Sequence, residues 1–402
     1  MSANLPRRAR LRVRRPDRLV PGLLHGLTAE ARILESRARE IFTPHRPLAA
    51  HERQYGRYEE TMQVVGALNT PGLHVVLRGS AGIGKTSLMN SVVATMAAAK
   101  NMSNTVVRCD SSDTFETIVA ESLAKAGIDV LRVESVVKET RKTKVDANIP
   151  HIGIGTERQY ETYATYRPDA RMGPAEAARY LVGQSFILAI DDTHAVPEAE
   201  RHKLAVFVKH LGESGSGVKV LFAGVASSAI DLIGPGGGAA LADVCLTRIS
   251  SQDICDLIQS GFEMLGITID ESIPAAVADL CDGYPQLAQL LGLNCAEGVI
   301  REGRTHVVAQ DLRLASVDAV RGVDRTLVHT YEHAREPTLL ELVAGLPAAP
   351  FTLADLAKGG WVSPMPGWAV GESAIFRQVD TNTYEFTDPR MRSYIRIRHL
   401  LA

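Results

Sequence analysis

The chain has 402 residues, 45% of them hydrophobic and 22% charged, with a formal net charge of −2. That length suits two or three domains with real cores, and the near-neutral balance excludes a molecule that binds polyanions over its whole surface. Five cysteines with no C-x-x-C pair argue against a zinc site or a disulfide framework and fit a reducing cytoplasm; no apolar run approaches the roughly 18–20 residues that span a membrane.

Charge is nevertheless segregated. Residues 1–18 carry seven arginines (Arg7, Arg8, Arg10, Arg12, Arg14, Arg15 and Arg18) against one acid, Asp17. Such an arm either binds phosphates by counterion release, with little sequence preference, or is a solvated tail. It lacks the apolar stretch of a secretory signal, although its composition mimics an organelle transit peptide. Thr28 then N-caps a helix running to Ile41, and residues 42–52, with two prolines, read as extended. A helix from Arg57 to Leu68 leads through the turn Asn69-Thr70-Pro71-Gly72 to an apolar strand at Leu73–Leu77.

The chemistry follows at once, in Gly79-Ser80-Ala81-Gly82-Ile83-Gly84-Lys85-Thr86-Ser87. The segment fits the phosphate-binding pattern G-x-x-x-x-G-K-[ST] at every fixed position. Gly79, Gly82 and Gly84 let the backbone curl so that N–H groups face phosphate oxygens. Lys85 reaches the β- and γ-phosphates and the Thr86 hydroxyl ligates Mg2+. The helix beginning at Ser87 adds its positive end. The expected nucleotide contacts are Gly79, Gly82, Ile83, Gly84, Lys85, Thr86 and Ser87.

Thr105–Cys109 reads as a second strand and Asp113–Ala126 as a helix stopped by Gly127. Residues 128–172, with Tyr160, Tyr163, Tyr166 and the basic run Arg141–Lys144, read as an inserted hairpin or loop, either packed on its own domain or stacking on nucleic acid. After a helix at Pro174–Leu181, Ser185–Asp192 is an apolar strand ending in two carboxylates. Asp191 is expected to hold Mg2+ through water or to orient Thr86. Asp192 stands where the general base for an attacking water belongs, which makes it, with Lys85, a candidate catalytic residue. A helix (Glu198–Leu211) and a strand (Val218–Ala223, ending at Gly224) complete an alternation that specifies an α/β fold: a parallel sheet with helices on both faces and its ligand at the carboxyl ends of the strands.

From Ser250 strands stop. Ser250 to Asp253 has capping-box chemistry, and helices near 272–281, 285–301 and 308–319 form a lid. Residues 336–402 read as two helices (Thr338–Ala344 and Leu353–Lys358), a Gly/Pro-rich loop, a hairpin (Ala374–Val379 with Tyr384–Phe386) and a basic end: a winged-helix pattern. The expected domains are 1–40 (basic arm and helix), 41–249 (P-loop core), 250–330 (helical lid) and 336–402 (winged-helix-like).

Over residues 41–330 the chain resembles bacterial AAA+/STAND-type ATPases, the group that includes origin-recognition-like ATPases. The resemblance rests on Ile41–Pro47 with Tyr55-Gly56-Arg57, on His74–Leu77 with Gly79–Leu88, on Asp191-Asp192-Thr193-His194, on Phe222–Ala226 and on Gly283-Tyr284-Pro285. It implies ATP and Mg2+ as cofactors, Arg57 near the adenine and Pro285 packed against it. The chain also departs from the pattern. Position 192 is Asp where actively hydrolysing members usually have Glu, one methylene longer. No sensor Asn or Thr ends the strand Val218–Ala223, Ser227 and Ser228 coming slightly late. The run from Gly283 to Leu293 holds no sensor arginine, and Arg248 is the one candidate for a trans-acting arginine.

The resemblance therefore implies an ATP-binding, oligomerising switch that recruits a protein partner in regulation or antiphage defence. Its expected turnover is on the order of one per minute or less, against ~1–10³ per second for typical enzymes. The alternative is a DNA-engaged ATPase of the origin-recognition or transposition-helper kind, binding DNA through the arginine arm and C-terminal domain. A metabolic kinase is disfavoured, since the lid and C-terminal domain offer no substrate-binding constellation.

Overall fold

The computed structural model describes residues 28–48, 54–125, 127, 136–138, 164–166, 172–225, 241–321, 325–346, 350–371, 374–388 and 390–401. The arginine arm, Arg141–Lys144, Tyr160, Tyr163, Ser227, Ser228 and the glycine run at 234–238 lie outside the described residues.

Along the chain, α1 (Ala29–Ile41) and α2 (Tyr58–Asn69) precede β1 (His74–Arg78), α3 (Lys85–Lys100), β2 (Ser103–Arg108) and α4 (Phe115–Lys125). Within the 128–172 segment β3 (Val136–Lys138) pairs antiparallel with β4 (Ala164–Tyr166). Then come α5 (Pro174–Tyr180), β5 (Phe186–Asp191), α6 (Glu198–Glu213), β6 (Lys219–Gly224) and β7 (Leu241–Cys245). The five long strands form one parallel sheet in the order β2-β5-β6-β1-β7. This is the α/β P-loop fold that the alternation predicts, with one strand more than the sequence reading found. Leu241–Cys245 is short and keeps Asp243 in its middle, so its pattern of burial is broken by an exposed position.

Both faces of the sheet are buried, and the pleat divides the residues between two cores. Val76, Leu188, Ile190, Val220 and Phe222 face α4, α5 and α6. Their strand neighbours Val75, Leu77, Ile187, Ala189, Leu221 and Ala223 face α2 and α3. At the start of β1 His74 is 1% exposed, accepts a hydrogen bond from the Val220 N–H at Nδ1 (3.0 Å), and leaves Nε2 without a partner among the described residues.

The lid comprises α7 (Ser251–Leu265), β8 (Thr268–Ile269), α8 (Ser272–Cys281), α9 (Pro285–Arg301), β9 (His306–Val307) and α10 (Ala309–Arg321). Ser250 and Asp253 form the expected capping box on α7. Strands do not disappear altogether after Ser250: β8 and β9 pair in parallel for two residues. The helix α1, capped by Thr28 as read, is no free arm. It packs on α7 and α9, and its Ala38 shares the lid core. Phe42, just beyond it, is 1% exposed and fills a notch cut by two glycines. A Cβ on Gly261 would stand 2.4 Å from the Phe42 ring, and one on Gly292 2.6 Å.

The C-terminal part contains α11 (Arg325–Glu332), α12 (Pro337–Gly345), β10 (Phe351–Thr352), α13 (Leu353–Lys358), β11 (Phe376–Asp380), β12 (Thr383–Phe386) and α14 (Arg390–Leu401). The hairpin β11–β12 gains a third strand, β10, that the sequence reading missed because it is only two residues long. No helix intervenes between α13 and β11 among the described residues. The helix α14 joins two cores: Met391, Tyr394 and Ile395 pack in the C-terminal domain, while Ile397 packs in the lid.

Two expectations follow. Phe42→Ala should empty the glycine notch and destabilise the lid by about 3–5 kcal/mol, seen as an earlier urea transition of the lid; an unchanged midpoint would contradict this packing role. Burial and nearby Lys219 lower the pKa of His74 from 6.5 to about 3. The folded state therefore binds fewer protons than the unfolded chain between these values. Stability present above pH 6.5 should fall by about 1.4 kcal/mol per pH unit as pH drops towards 3. His74→Asn should flatten that slope in pH-dependent denaturation.

Candidate nucleotide-binding site

The loop between β1 and α3 is shaped by its glycines at two places. Gly79 passes so close to the chain leaving β7 that a Cβ would stand 2.8 Å from the Leu246 carbonyl. Gly84 caps α3 with a left-handed φ of 103°, a conformation that side chains with a Cβ resist. The first turn of α3 then presents N–H groups that have no partner within the helix. Lys85 is held by the loop itself, its Nζ donating to the carbonyls of Gly79 and Ser80, both at 2.9 Å. Burial pushes its pKa below the ordinary lysine range, against the pull of Asp191 and Asp192.

Thr86 Oγ1 donates to Asp191 Oδ2 at 2.8 Å, so the two residues expected to hold Mg2+ meet. Asp191 is 1% exposed and its second oxygen accepts the Asp192 N–H at 2.9 Å. Burial raises its pKa above the usual carboxylate range; the Thr86 hydroxyl and Arg108 pull it down. Asp192 corrects the sequence reading in one respect. The strand ends at Asp191, and Asp192 turns off it with φ 56°, capping the short 3-10 turn Thr193–Ala195. That turn aims Asp192 and His194 into the cavity.

The cavity has a volume of about 400 Å³ and runs from Asp192 along Ala81–Ser87 to Thr43–Leu48, Tyr55, Ile249 and Pro285. Its roof is stitched from three parts of the chain. Gln289 accepts the Thr43 N–H (2.9 Å), Gln286 donates to the Pro44 carbonyl (3.1 Å), and the Leu48 N–H donates to Ser87 Oγ (3.1 Å). Ser87 therefore serves the roof with its side chain. Ile83 is 1% exposed and belongs to the core beneath the loop. Pro285 lies at the first turn of α9 and lines the cavity, as does Arg57.

The guanidinium of Arg57, however, is committed to protein. It is 6% exposed and donates to Glu60 (2.6 Å), to the Ile83 carbonyl (2.9 Å) and to the Thr247 carbonyl (2.7 Å). It clamps the phosphate loop to the chain leaving β7. Arg248, the candidate for a trans-acting arginine, has its Nε 3.3 Å from Asp282 Oδ2 and lies over the Tyr284 ring of its own chain. Sequence reasoning missed Gln286 and Gln289; their i, i+3 spacing on one face of the predicted lid helix was the available signal.

The donor set fits a magnesium-bound nucleoside triphosphate. Thr86 and Asp191 would hold the ion, and the backbone of 82–87 with Lys85 would hold the phosphates. No protein-family model matches the chain, and no curated protein sequence does. In structure it is similar to a Walker-type ATPase of Pyrococcus abyssi, at 16% identity and a TM-score of 0.55, over 89% of this chain and 99% of that one. Looser similarity extends to Cdc6p from Pyrobaculum aerophilum (15% identity, TM-score 0.48, covering 90% and 99%) and to the Aeropyrum pernix ORC1 protein solved with DNA (14%, 0.46, covering 80% of each). The fold is that of a P-loop ATPase.

Because a proton competes with a metal for Asp191, Mg2+-dependent ATP affinity should begin to fall at a higher pH than an ordinary carboxylate would allow. Below the pKa of Asp191 it should fall by up to ~10-fold per pH unit. Calorimetric titrations at successively lower pH would show this, and Asp191→Asn should abolish the Mg2+ dependence at every pH.

Proposed function

We propose that this protein is an AAA+/STAND-type ATPase that works as a switch: it binds ATP with Mg2+ at the P-loop, hydrolyses it slowly, oligomerises and recruits a protein partner. One chain of contacts carries the proposal. The Tyr284 hydroxyl, at the start of α9, lies beside Ser80 of the phosphate loop and beside Arg248, whose guanidinium stands 5.5 Å from the ring centroid. Arg248 pairs with Asp282, and the other oxygen of Asp282 accepts from Arg392 at 3.1 Å. Arg392 is 1% exposed and also donates to the Ala344 and Leu346 carbonyls inside the C-terminal domain. A change at the phosphate loop thus has neighbouring polar groups leading towards α14.

The turn that carries this route is tightly packed. Asp282 and Gly283 both have positive φ, 49° and 74°. A Cβ on Gly283 would stand 2.6 Å from the Ile249 carbonyl. Slow hydrolysis fits a switch, and it is supported by the short Asp192 side chain in the position of the base.

The DNA-engaged alternative finds less support in the C-terminal domain. Arg377 pairs with Glu385, Arg390 with Asp388, Arg396 with Asp279 and Arg398 with Glu332. Exposed pairs of this kind are worth little, so they reduce only modestly what these cations offer phosphates. The arginine arm carries what remains of that reading, and a steep salt dependence of DNA retention that disappears on deleting residues 1–18 would revive it.

Lys85→Ala should abolish ATP binding in calorimetry. Tyr284→Phe removes one hydroxyl and should weaken ATP binding about fivefold at most, the worth of ~1 kcal/mol. In the wild type, ATP should change amide hydrogen exchange in α14; in Tyr284→Phe that response should be lost although ATP still binds. An unaltered response in Tyr284→Phe would sink the proposed route.

A further inference from the structure

A P-loop site must separate a triphosphate from a diphosphate, and the difference is one doubly charged phosphate. Lys85 would meet the phosphates of either nucleotide, and the other cations around the site have contacts within the protein, among them Arg46 of the cavity lining, which donates to the Pro47 and Glu40 carbonyls. Lys85 is bonded to two loop carbonyls and Arg57 to two others. Arg248 sits on Asp282 and Tyr284. The single arginine of α9, Arg301, lies at its far end with Glu35 and Glu297.

Arg108 differs from all of these. It ends β2, and β2 pairs with β5 so that Arg108 stands in register with Asp191. The pairing continues one residue further, where the Cys109 N–H donates to the Asp191 carbonyl at 3.1 Å. Position is therefore fixed by the sheet, while the side chain reaches into solvent and is 60% exposed. Its one ion contact among the described residues is Asp191 Oδ2 at 3.8 Å, the same oxygen that accepts from Thr86.

We propose that Arg108 is a triphosphate-sensing residue acting within its own chain. In the structure its guanidinium lies near the buried carboxylate of Asp191 and offsets part of that charge. Asp191 is one of the two residues that would hold Mg2+, and a carboxylate so engaged has little left for a guanidinium 3.8 Å away. Arg108 lies outside the cavity lining, so it reaches the phosphates by rotation of its long side chain, which its exposure permits. Turned inward from the carboxyl edge of the sheet, a guanidinium fork suits the oxygens of a terminal phosphate. This inference rests on the reading of the cavity as an ATP site and names what lets that site prefer ATP over ADP.

The test is calorimetric titration of the full chain with Mg-ATP and with Mg-ADP, for the wild type, Arg108→Ala and Arg108→Lys. The alanine variant should lose about 10–100-fold in ATP affinity, the usual worth of a charged hydrogen bond, while ADP affinity stays within about threefold. The lysine variant should keep part of the preference, since charge remains but the fork is gone. ADP affinity doubles as a check that the variant is folded. Equal losses for ATP and ADP would mean that Arg108 acts only through Asp191 and would overturn the proposal, as would no loss for either. If the wild type binds neither nucleotide, the ATP-site reading itself fails and this inference with it.

Discussion

The site depends on a bond that crosses a strand. Thr86 leaves β1 through the phosphate loop, and Asp191 ends β5, but β6 lies between them. Neighbouring strands are about 4.8 Å apart, so β1 and β5 are separated by roughly twice that. The 2.8 Å contact from Thr86 to Asp191 therefore passes over the end of β6. That strand finishes in Ala223 and Gly224, which carry little side chain, and Thr193 fastens it from below by donating to the Ala223 carbonyl at 3.1 Å. The absence of a polar sensor at the end of β6, a departure when viewed as sequence, gives the crossing its room.

Around this centre buried polar contacts tie together apolar cores that are separate clusters. Four apolar clusters, two on the sheet, one in the lid and one in the C-terminal domain, meet at their edges. Arg57 joins the phosphate loop to the chain leaving β7, and Asp282 joins the lid to the C-terminal domain by accepting from Arg392 on one side and pairing with Arg248 on the other. Buried charges are costly unless paired, so each contact fixes one arrangement of its neighbours sharply. An arrangement held by few, strong, directional contacts can be exchanged for another when a charged ligand competes for one of them, whereas a continuous apolar interface offers no such point of leverage.

The leading segment belongs to this logic. Phe42 is anchored in the lid by its glycine notch, and six residues later Leu48 is bonded to Ser87 on α3. The same short stretch thus roofs the cavity and ties the lid to the helix that starts at the phosphates. Gln286 and Gln289 fix it from the lid side. A nucleotide in the cavity would touch both bodies through one segment.

The sequence by itself determined what depends on local rules. The glycine and lysine spacing of the phosphate loop, the apolar run before Asp191, the capping box at Ser250 and the alternation of strands and helices are patterns within a few residues, where backbone geometry and periodicity act directly. The tertiary structure decided what depends on distance. Arg57 lines the cavity, and the fold also bonds it to carbonyls of Ile83 and Thr247 that lie far away in sequence. Arg248 was given to its own Asp282, and α1, legible as a helix, was placed on the lid. The strand β7 was invisible because a five-residue stretch with an acid at its centre earns its place only by pairing with β1. Side chains that bond across the fold obey no spacing rule, because their partners are chosen by proximity that exists only once the sheet, the lid and the C-terminal helix have come together.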